Sequence, residues 1–241
     1  MNMNSFEGKR ILALVREGDY AHAGEEEAID RAFRSIPKNS DQWLLDVGCG
    51  RSGSAQYLRR HGWGHVEGID RDAESIEYAR ATYPEIGFHV CDVLDIARTV
   101  TRTFDVIYML NAFYAFDRQR EALAELRKVA KPSAQLVIFD YTVGANAAGT
   151  PNPMMPHAIR LSEIASMLRD AGWAPGDVED LNAEYARWYA EFVQRIQLKR
   201  AEIEKIGSPA WYNFVLAMYS GLHGVIASGS LGGAIVHARA T

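Results

Sequence analysis

The chain predicts an α/β fold built on a doubly wound, mostly parallel seven-stranded sheet, with N-terminal helices and a helical cap inserted between the last two strands. Three observations carry this. Apolar runs of strand length alternate with segments of helical period from about residue 42 to 180, the pattern of a sheet covered by helices on both faces. The first run, Trp43, Leu44 and Leu45, breaks through Asp46, Val47, Gly48, Cys49, Gly50, Arg51, Ser52 and Gly53 into a glycine turn that opens a helix. Helical stripes over residues 183–228 then separate a sixth strand from a closing apolar run.

In chain order, residues 6–36 read as helical. A second helix starts at Glu25, Glu26 and Glu27, whose carboxylates suit the positive end of the helix dipole. These helices precede the first strand and are expected to pack over one end of the sheet. Strands are predicted at 42–47, 65–70, 87–91, 104–110 and 134–140, with helices near 52–61, 73–82 and 117–130. A further helix begins at Ser162, a good N-cap, and a sixth strand follows at 173–180. Tyr185, Trp188, Tyr189, Phe192, Val193 and Ile196 repeat at helical spacing until Gly207, Ser208 and Pro209 mark a stop and a new start. Trp211, Phe214, Val215, Met218, Leu222, Val225 and Ile226 form a second stripe, so the cap is predicted as a helical pair. After Gly229 the run from Leu231 to Ala238 reads as the closing strand. One domain over 1–241 is expected: an N-terminal lid at 1–40, a core at 41–180, the cap at 181–230 and the closing strand at 231–241.

With 241 residues, 48% hydrophobic and 24% charged, the chain can bury a full core and does not have a disordered composition. No segment approaches the roughly 20 apolar residues of a membrane helix. No basic start followed by an apolar run is visible, so a cytoplasmic location is expected. The net charge of −5, without a long Lys/Arg cluster, offers no footprint for nucleic acid. The expected partner is a small molecule, not nucleic acid or membrane, and the expected state is a monomer or homodimer. Cys49 and Cys91 read as small packing residues rather than a disulfide or reactive thiols.

Gly48 and Gly50 can take positive φ and lack a Cβ, so a ligand can lie against bare backbone where a helix N-terminus presents free N–H groups. Gly48, Gly50 and Gly53 also meet the G-x-G-x-x-G spacing of a dinucleotide site. Asp46 argues against that reading, because a carboxylate two positions before the first glycine would repel a diphosphate. A nucleoside without phosphates fits better.

The stretch Leu45 to Gly53 resembles the first motif of class I S-adenosylmethionine-dependent methyltransferases of the small-molecule type. The resemblance continues in order over about 42–180 plus the final strand, and it implies a Rossmann-like fold that binds S-adenosyl-L-methionine. Gly68, Ile69 and Asp70 end the second strand where that family binds both ribose hydroxyls, with Arg71 beside them. A carboxylate has two acceptor oxygens for a vicinal diol. Cys91, Asp92 and Val93 end the third strand, where the resemblance implies contacts to adenine. Phe104 to Asn111 resembles the fourth strand, whose end passes under the methionine portion and implies a contact from Asn111. Asp46 either touches the cofactor or orients the glycine turn from behind. Tyr20 and Gly24 are implied as lid contacts. Leu126 to Asp140 resembles the following helix, turn and fifth strand, but Pro132, Ser133 and Ala134 stand where the family has Pro-Gly-Gly. That turn is therefore expected to lack a residue that tolerates positive φ.

The implied activity is methyl transfer to a small organic acceptor, with an amine nitrogen preferred. The alternatives are O- or C-methylation of a small aromatic or isoprenoid-type acceptor, or cofactor binding without transfer. In-line displacement at a sulfonium requires no metal. A general base helps when the acceptor arrives protonated, and His22, Tyr114, Tyr141, His157 and His223 are the candidates, none of them singled out by its spacing. Phe113, Tyr114 and Phe116 follow the fourth strand, where the family's acceptor pocket starts. The cap resembles that of amine-methylating enzymes of the glycine, sarcosine and phosphoethanolamine kind, and its aromatics could cage a cation. Trp188, Phe192, Trp211 and Phe214 read as core, whereas Tyr185, Tyr189 and Tyr219 are better placed to reach a pocket.

Overall fold

The computed structural model describes residues 1–147, 152 and 155–241. Two helices lead, α1 (Phe6–Arg16), capped where Ser5 Oγ accepts the Gly8 N–H, and α2 (Glu25–Phe33). The alternation follows as β1 (Trp43–Val47), α3 (Gly53–Arg60), β2 (His65–Asp70), α4 (Ala73–Thr82), β3 (Gly87–Val90), α5 (Ile96–Thr99), β4 (Phe104–Leu110), α6 (Gln119–Lys128) and β5 (Ala130–Val143). It ends with α7 (Leu161–Asp170), β6 (Trp173–Asp180), α8 (Asn182–Leu198), α9 (Arg200–Ile206), α10 (Pro209–Ala227) and β7 (Leu231–Ala240).

The seven strands lie in the order β3-β2-β1-β4-β5-β7-β6, with β7 antiparallel to both neighbours and the other pairings parallel. Chain direction across the sheet reverses between β1 and β4, and such a switch point opens a crevice beyond the strand C-termini. Leu44 and Leu45 are both fully buried on opposite faces, as the two-residue strand period requires. On the Leu44 side Ile11, Phe33, Tyr108, Phe139 and Tyr185 form a core beneath the N-terminal helices and the cap. On the Leu45 side Ile107, Met109, Leu123 and Trp173 pack under α5, α6 and α7.

Four expectations need correction. The cap holds three helices, because the chain turns at Lys199 and the short α9 brings Ile203 into full burial. Helix α7 starts at Leu161 after Arg160, so Ser162 lies in its first turn and caps nothing. Helix α6 is shorter than 117–130, and β5 longer than 134–140, because backbone pairing with Phe104 recruits Ala130 into the sheet. The turn expected to avoid positive φ does not: Ser133 adopts φ 62°, at an irregularity in the β4–β5 register.

A left-handed conformation costs a non-glycine L-residue about 1–2 kcal/mol. Glycine offsets part of that by its freedom in the unfolded chain. Ser133→Gly is therefore expected to stabilise the fold by about 0.5–1 kcal/mol, seen as a raised midpoint in urea with an unchanged slope. A lowered midpoint would show that the serine side chain contributes more than its backbone costs.

Candidate active site

A cavity of about 990 Å³ occupies the crevice, from the ends of β2 and β3 past β4 to the underside of α8 and α10. The glycine turn forms one wall. The Gly48 and Cys49 N–H groups both donate to the Ile69 carbonyl, at 2.8 and 3.0 Å, which ties the turn to the end of β2. Gly48 has φ 75°, and a Cβ there would lie 2.6 Å from that of Ala112. Gly50 has φ 51°, and the position of a Cβ there is open, with no atom within 4 Å. The first glycine thus permits packing, and the second leaves backbone bare to the cavity.

Asp70 borders the cavity with Arg71. Its Oδ2 accepts the Gly50 N–H at 2.8 Å and its Oδ1 accepts the Asp72 N–H at 2.9 Å. Each oxygen keeps a lone pair for a hydroxyl. Asp92 and Val93 border the cavity at the end of β3, and Asp92 Oδ1 also accepts the Leu94 N–H at 2.9 Å, so it caps the following turn as well. Tyr20 reaches the cavity from above, its hydroxyl donating to Glu26 Oε1 at 3.0 Å.

Two cofactor candidates lie elsewhere. Gly24 does not border the cavity; it packs against Trp188, whose ring would be 2.6 Å from a Cβ. Asp46 is buried behind the turn, outside the cavity wall, and its Oδ2 has no hydrogen-bond partner. Asn111 does border the cavity, but its side chain faces inward. Its Oδ1 accepts the Ala23 N–H at 3.3 Å, and its Nδ2 donates to the Tyr185 hydroxyl at 3.0 Å. It thereby tethers the segment before α2 to the sheet.

The base candidates divide similarly. His22 is 1% exposed and outside the cavity wall. Its Nδ1–H donates to the Ala23 carbonyl at 3.1 Å, so the neutral ring's Nε2 accepts from Ser54 Oγ at 2.9 Å. Burial drives its pKa down to about 4, and the ring is a neutral packing element. His157 lies apart, its Nε2 3.2 Å from Asp117 Oδ1 beside a smaller surface hollow, and His223 does not reach the cavity. Tyr114 and Tyr141 do border it, with their rings edge to face 5.1 Å apart. The Tyr141 and Tyr189 hydroxyls hydrogen-bond to each other. Burial raises the Tyr114 phenol to about 12 and pushes Tyr141 well above its ordinary value, so neither is a ready base. Tyr189 and Tyr219 complete this end. Tyr185 stays beneath it, and Trp188, Phe192, Trp211 and Phe214 belong to the core packing.

Residues 45–138 match a family model described as a methyltransferase domain. That match spans less than half of the chain, and over it the chain is similar to a methyltransferase domain. An O-methyltransferase of Aspergillus sclerotiorum, resE, is 26% identical over 177 residues, 65% of each chain. A phosphoethanolamine N-methyltransferase of Plasmodium falciparum (isolate 3D7) is 25% identical over 145 residues, 58% of this chain and 54% of the relative. The chain spans between 54% and 65% of the length of these two curated relatives. Haemonchus contortus phosphoethanolamine N-methyltransferase 2, solved with S-adenosyl-L-methionine, superimposes with a TM-score of 0.87 at 16% identity, covering 99% of this chain and 58% of the other. At that identity the likeness concerns the fold.

The site also contains residues that the sequence reading passed over. Asp19 borders the cavity and anchors the segment over the glycine turn. Its carbonyl accepts the Gly53 N–H at 3.2 Å, and its Oδ2 accepts the hydroxyls of Tyr78 and Tyr83 at 3.0 and 2.7 Å. Asp140, fully buried at the end of the apolar part of β5, accepts the N–H groups of Tyr141 at 2.7 Å and Tyr114 at 3.1 Å. A carboxyl interrupting an apolar strand was the available signal.

Burial raises Asp46 to about 8 and Asp140 to about 7, against 3.8 ordinarily. Both therefore hold protons in the folded chain at pH values where the unfolded chain has lost them. Stability is then lost as pH rises through this window. His22 acts oppositely, because its lowered pKa costs stability as pH falls below 6.5. The ligand-free protein is expected to lose roughly 1.5 kcal/mol through Asp46 and about half as much through Asp140 between pH 6.5 and 8. Asp46→Asn should remove its share of that slope in urea titrations at each pH; an unchanged slope would mean that Asp46 does not couple to folding.

Proposed function

We propose that this chain transfers a methyl group from S-adenosyl-L-methionine to a small organic acceptor, with an amine nitrogen as the acceptor atom. The observation that carries this is one continuous cavity joining the Asp70–Asp92 end to a chamber bounded by Tyr114, Tyr141, Tyr189 and Tyr219. The bare backbone at Gly50 and the unspent lone pairs of Asp70 fit a nucleoside. Asp70 would take the ribose hydroxyls, Asp92 and Val93 the adenine, and Arg71 and Tyr20 would close over them. When bound, the cofactor supplies a methyl group on a cationic sulfur.

The protein's remaining task is to hold an acceptor lone pair in line and exclude water. Tyrosines kept neutral by burial offer π faces and hydroxyl oxygens to an amine without competing for its proton. The Tyr141 hydroxyl, bonded to that of Tyr189, would accept a hydrogen bond from the acceptor's N–H. In this reading residues 1–40 form a lid, 41–180 hold the cofactor, 181–230 cover the acceptor, and 231–241 close the sheet. No helix among the described residues is long and apolar enough to cross a membrane.

Relatives named as O-methyltransferases favour hydroxyl methylation as the second reading. Offering a library of small amines, phenols and alcohols with S-adenosyl-L-methionine, and measuring S-adenosylhomocysteine, separates the cases. Product from amines is expected. Turnover confined to hydroxyl acceptors would favour the second reading, and cofactor binding without any product would sink both.

A further inference from the structure

At the cap end of the cavity the charges do not balance. Arg16, the last residue of α1, has a side chain only 2% exposed, yet it borders the cavity beside Tyr189, Met218, Tyr219 and Leu222. Its Nη1 donates to Glu25 Oε1 at 2.6 Å, and its guanidinium lies 4.2 Å from the centre of the Phe192 ring. Glu25 is shared, because Arg195 Nη2 donates to its two oxygens at 3.0 and 3.2 Å. Two guanidiniums therefore face one carboxylate. The nearby Lys199 is already paired with Glu17.

The hydrogen bonding is unbalanced in the same sense. The Nε of Arg16 is buried with no partner, as is that of Arg195. The Tyr189 and Tyr219 hydroxyls lie near enough to feel the Arg16 charge, and each phenol can donate. A buried guanidinium with unspent donors is costly unless an anion completes it. Its planar fork matches the oxygens of a carboxylate or phosphate.

We propose that the cap end of the cavity is an oxyanion site, in which Arg16 with the Tyr189 and Tyr219 hydroxyls holds a carboxylate or phosphate carried by the acceptor. Naming the anion's carrier as the acceptor rests on the methyl-transfer reading, whereas the anion site itself does not. Glu25 holds the Arg16 fork in place and competes with the incoming anion. Arg195, which shares Glu25 and does not border the cavity, supplies the excess positive charge.

The test is calorimetric titration of the full chain with inorganic phosphate, with acetate, and with acetamide as the neutral counterpart of acetate. One or both anions should bind and acetamide should not; the anion that binds identifies the chemistry of the acceptor's group. Arg16→Gln should weaken binding by about tenfold or more. Arg16→Lys, which keeps the charge without the fork, should fall between. Glu25→Gln should tighten it severalfold by removing the competing carboxylate. Three results would overturn the proposal: no anion binding by the wild type, equal binding of acetamide, or weakening by Glu25→Gln as well as by Arg16→Gln, as for an ion pair that only supports the fold. Anion binding that persists without methyl transfer to any acceptor would sink the reading of function and leave this site standing. Turnover of neutral amines without anion binding would do the reverse.

Discussion

Asp70→Ala is expected to weaken S-adenosyl-L-methionine binding by about 3 kcal/mol, more than a hundredfold. The loss has two sources. In the proposed reading alanine removes both acceptors offered to the ribose hydroxyls, and hydrogen bonds to a charged group contribute about 1.5–3 kcal/mol. It also releases the Gly50 N–H, which Asp70 Oδ2 holds at 2.8 Å, so the bare stretch of turn facing the cavity is no longer positioned. Asp70→Asn keeps one acceptor oxygen and should lose about half as much. The folding cost should be small, because Asp70 is only partly buried and water can replace it on the freed N–H groups. Calorimetric titration alongside a urea melt checks both parts, and an alanine variant with wild-type affinity would show that the carboxylate neither holds the cofactor nor positions the turn for it.

Asp140→Ala is expected to cost about 3 kcal/mol of folding stability, lowering the melting temperature by roughly 6–12 °C in a chain of this size. Asp140 is fully buried and gathers the N–H groups of Tyr114 and Tyr141 with a longer contact from Asn111 Nδ2 at 3.5 Å. No water replaces the missing acceptor at such a depth, so those donors are left unpaired. Asp140 does not border the cavity, but it positions two tyrosines that do. In the surviving folded fraction the KM for the acceptor should therefore rise more than that for the cofactor. Asp140→Asn, with the same volume and one acceptor oxygen, should recover part of both effects. Full wild-type stability in the alanine variant would mean that the N–H groups find other partners.

The cofactor end was the more legible half of the site. Asp70 and Asp92 each follow an apolar run, so a strand reading alone puts them at the C-terminal edge of a parallel sheet, and there the structure has them. Gly48 and Gly50 were legible because their φ angles of 75° and 51° are a local property of glycine. The acceptor end was less so. Tyr185, Tyr189 and Tyr219 belong to helical stripes of similar appearance, yet Tyr189 and Tyr219 face the cavity while Tyr185 bonds to Asn111 beneath it. Tyr185 and Tyr189 lie four residues apart in α8, so one helical turn along the axis, which the packing of α8 on the sheet decides, separates the ring beneath from the ring at the cavity. His22 looked like a base because its burial comes from Ser54 and Phe139, residues remote in sequence.

The sequence by itself determined the doubly wound sheet, the late helices between the last two strands, and the glycine turn and carboxylates that line one end of the cavity. Strand period, glycine backbone freedom and the position of a carboxylate after an apolar run are properties of neighbouring residues. Only the tertiary structure decided which tyrosines meet at the chamber, that Asp46 and His22 are sealed away from it, and that Arg16 and Arg195 share Glu25. Burial and charge balance are sums over groups that different elements bring together, and in the sequence Arg16 is merely a cation at the end of a helix.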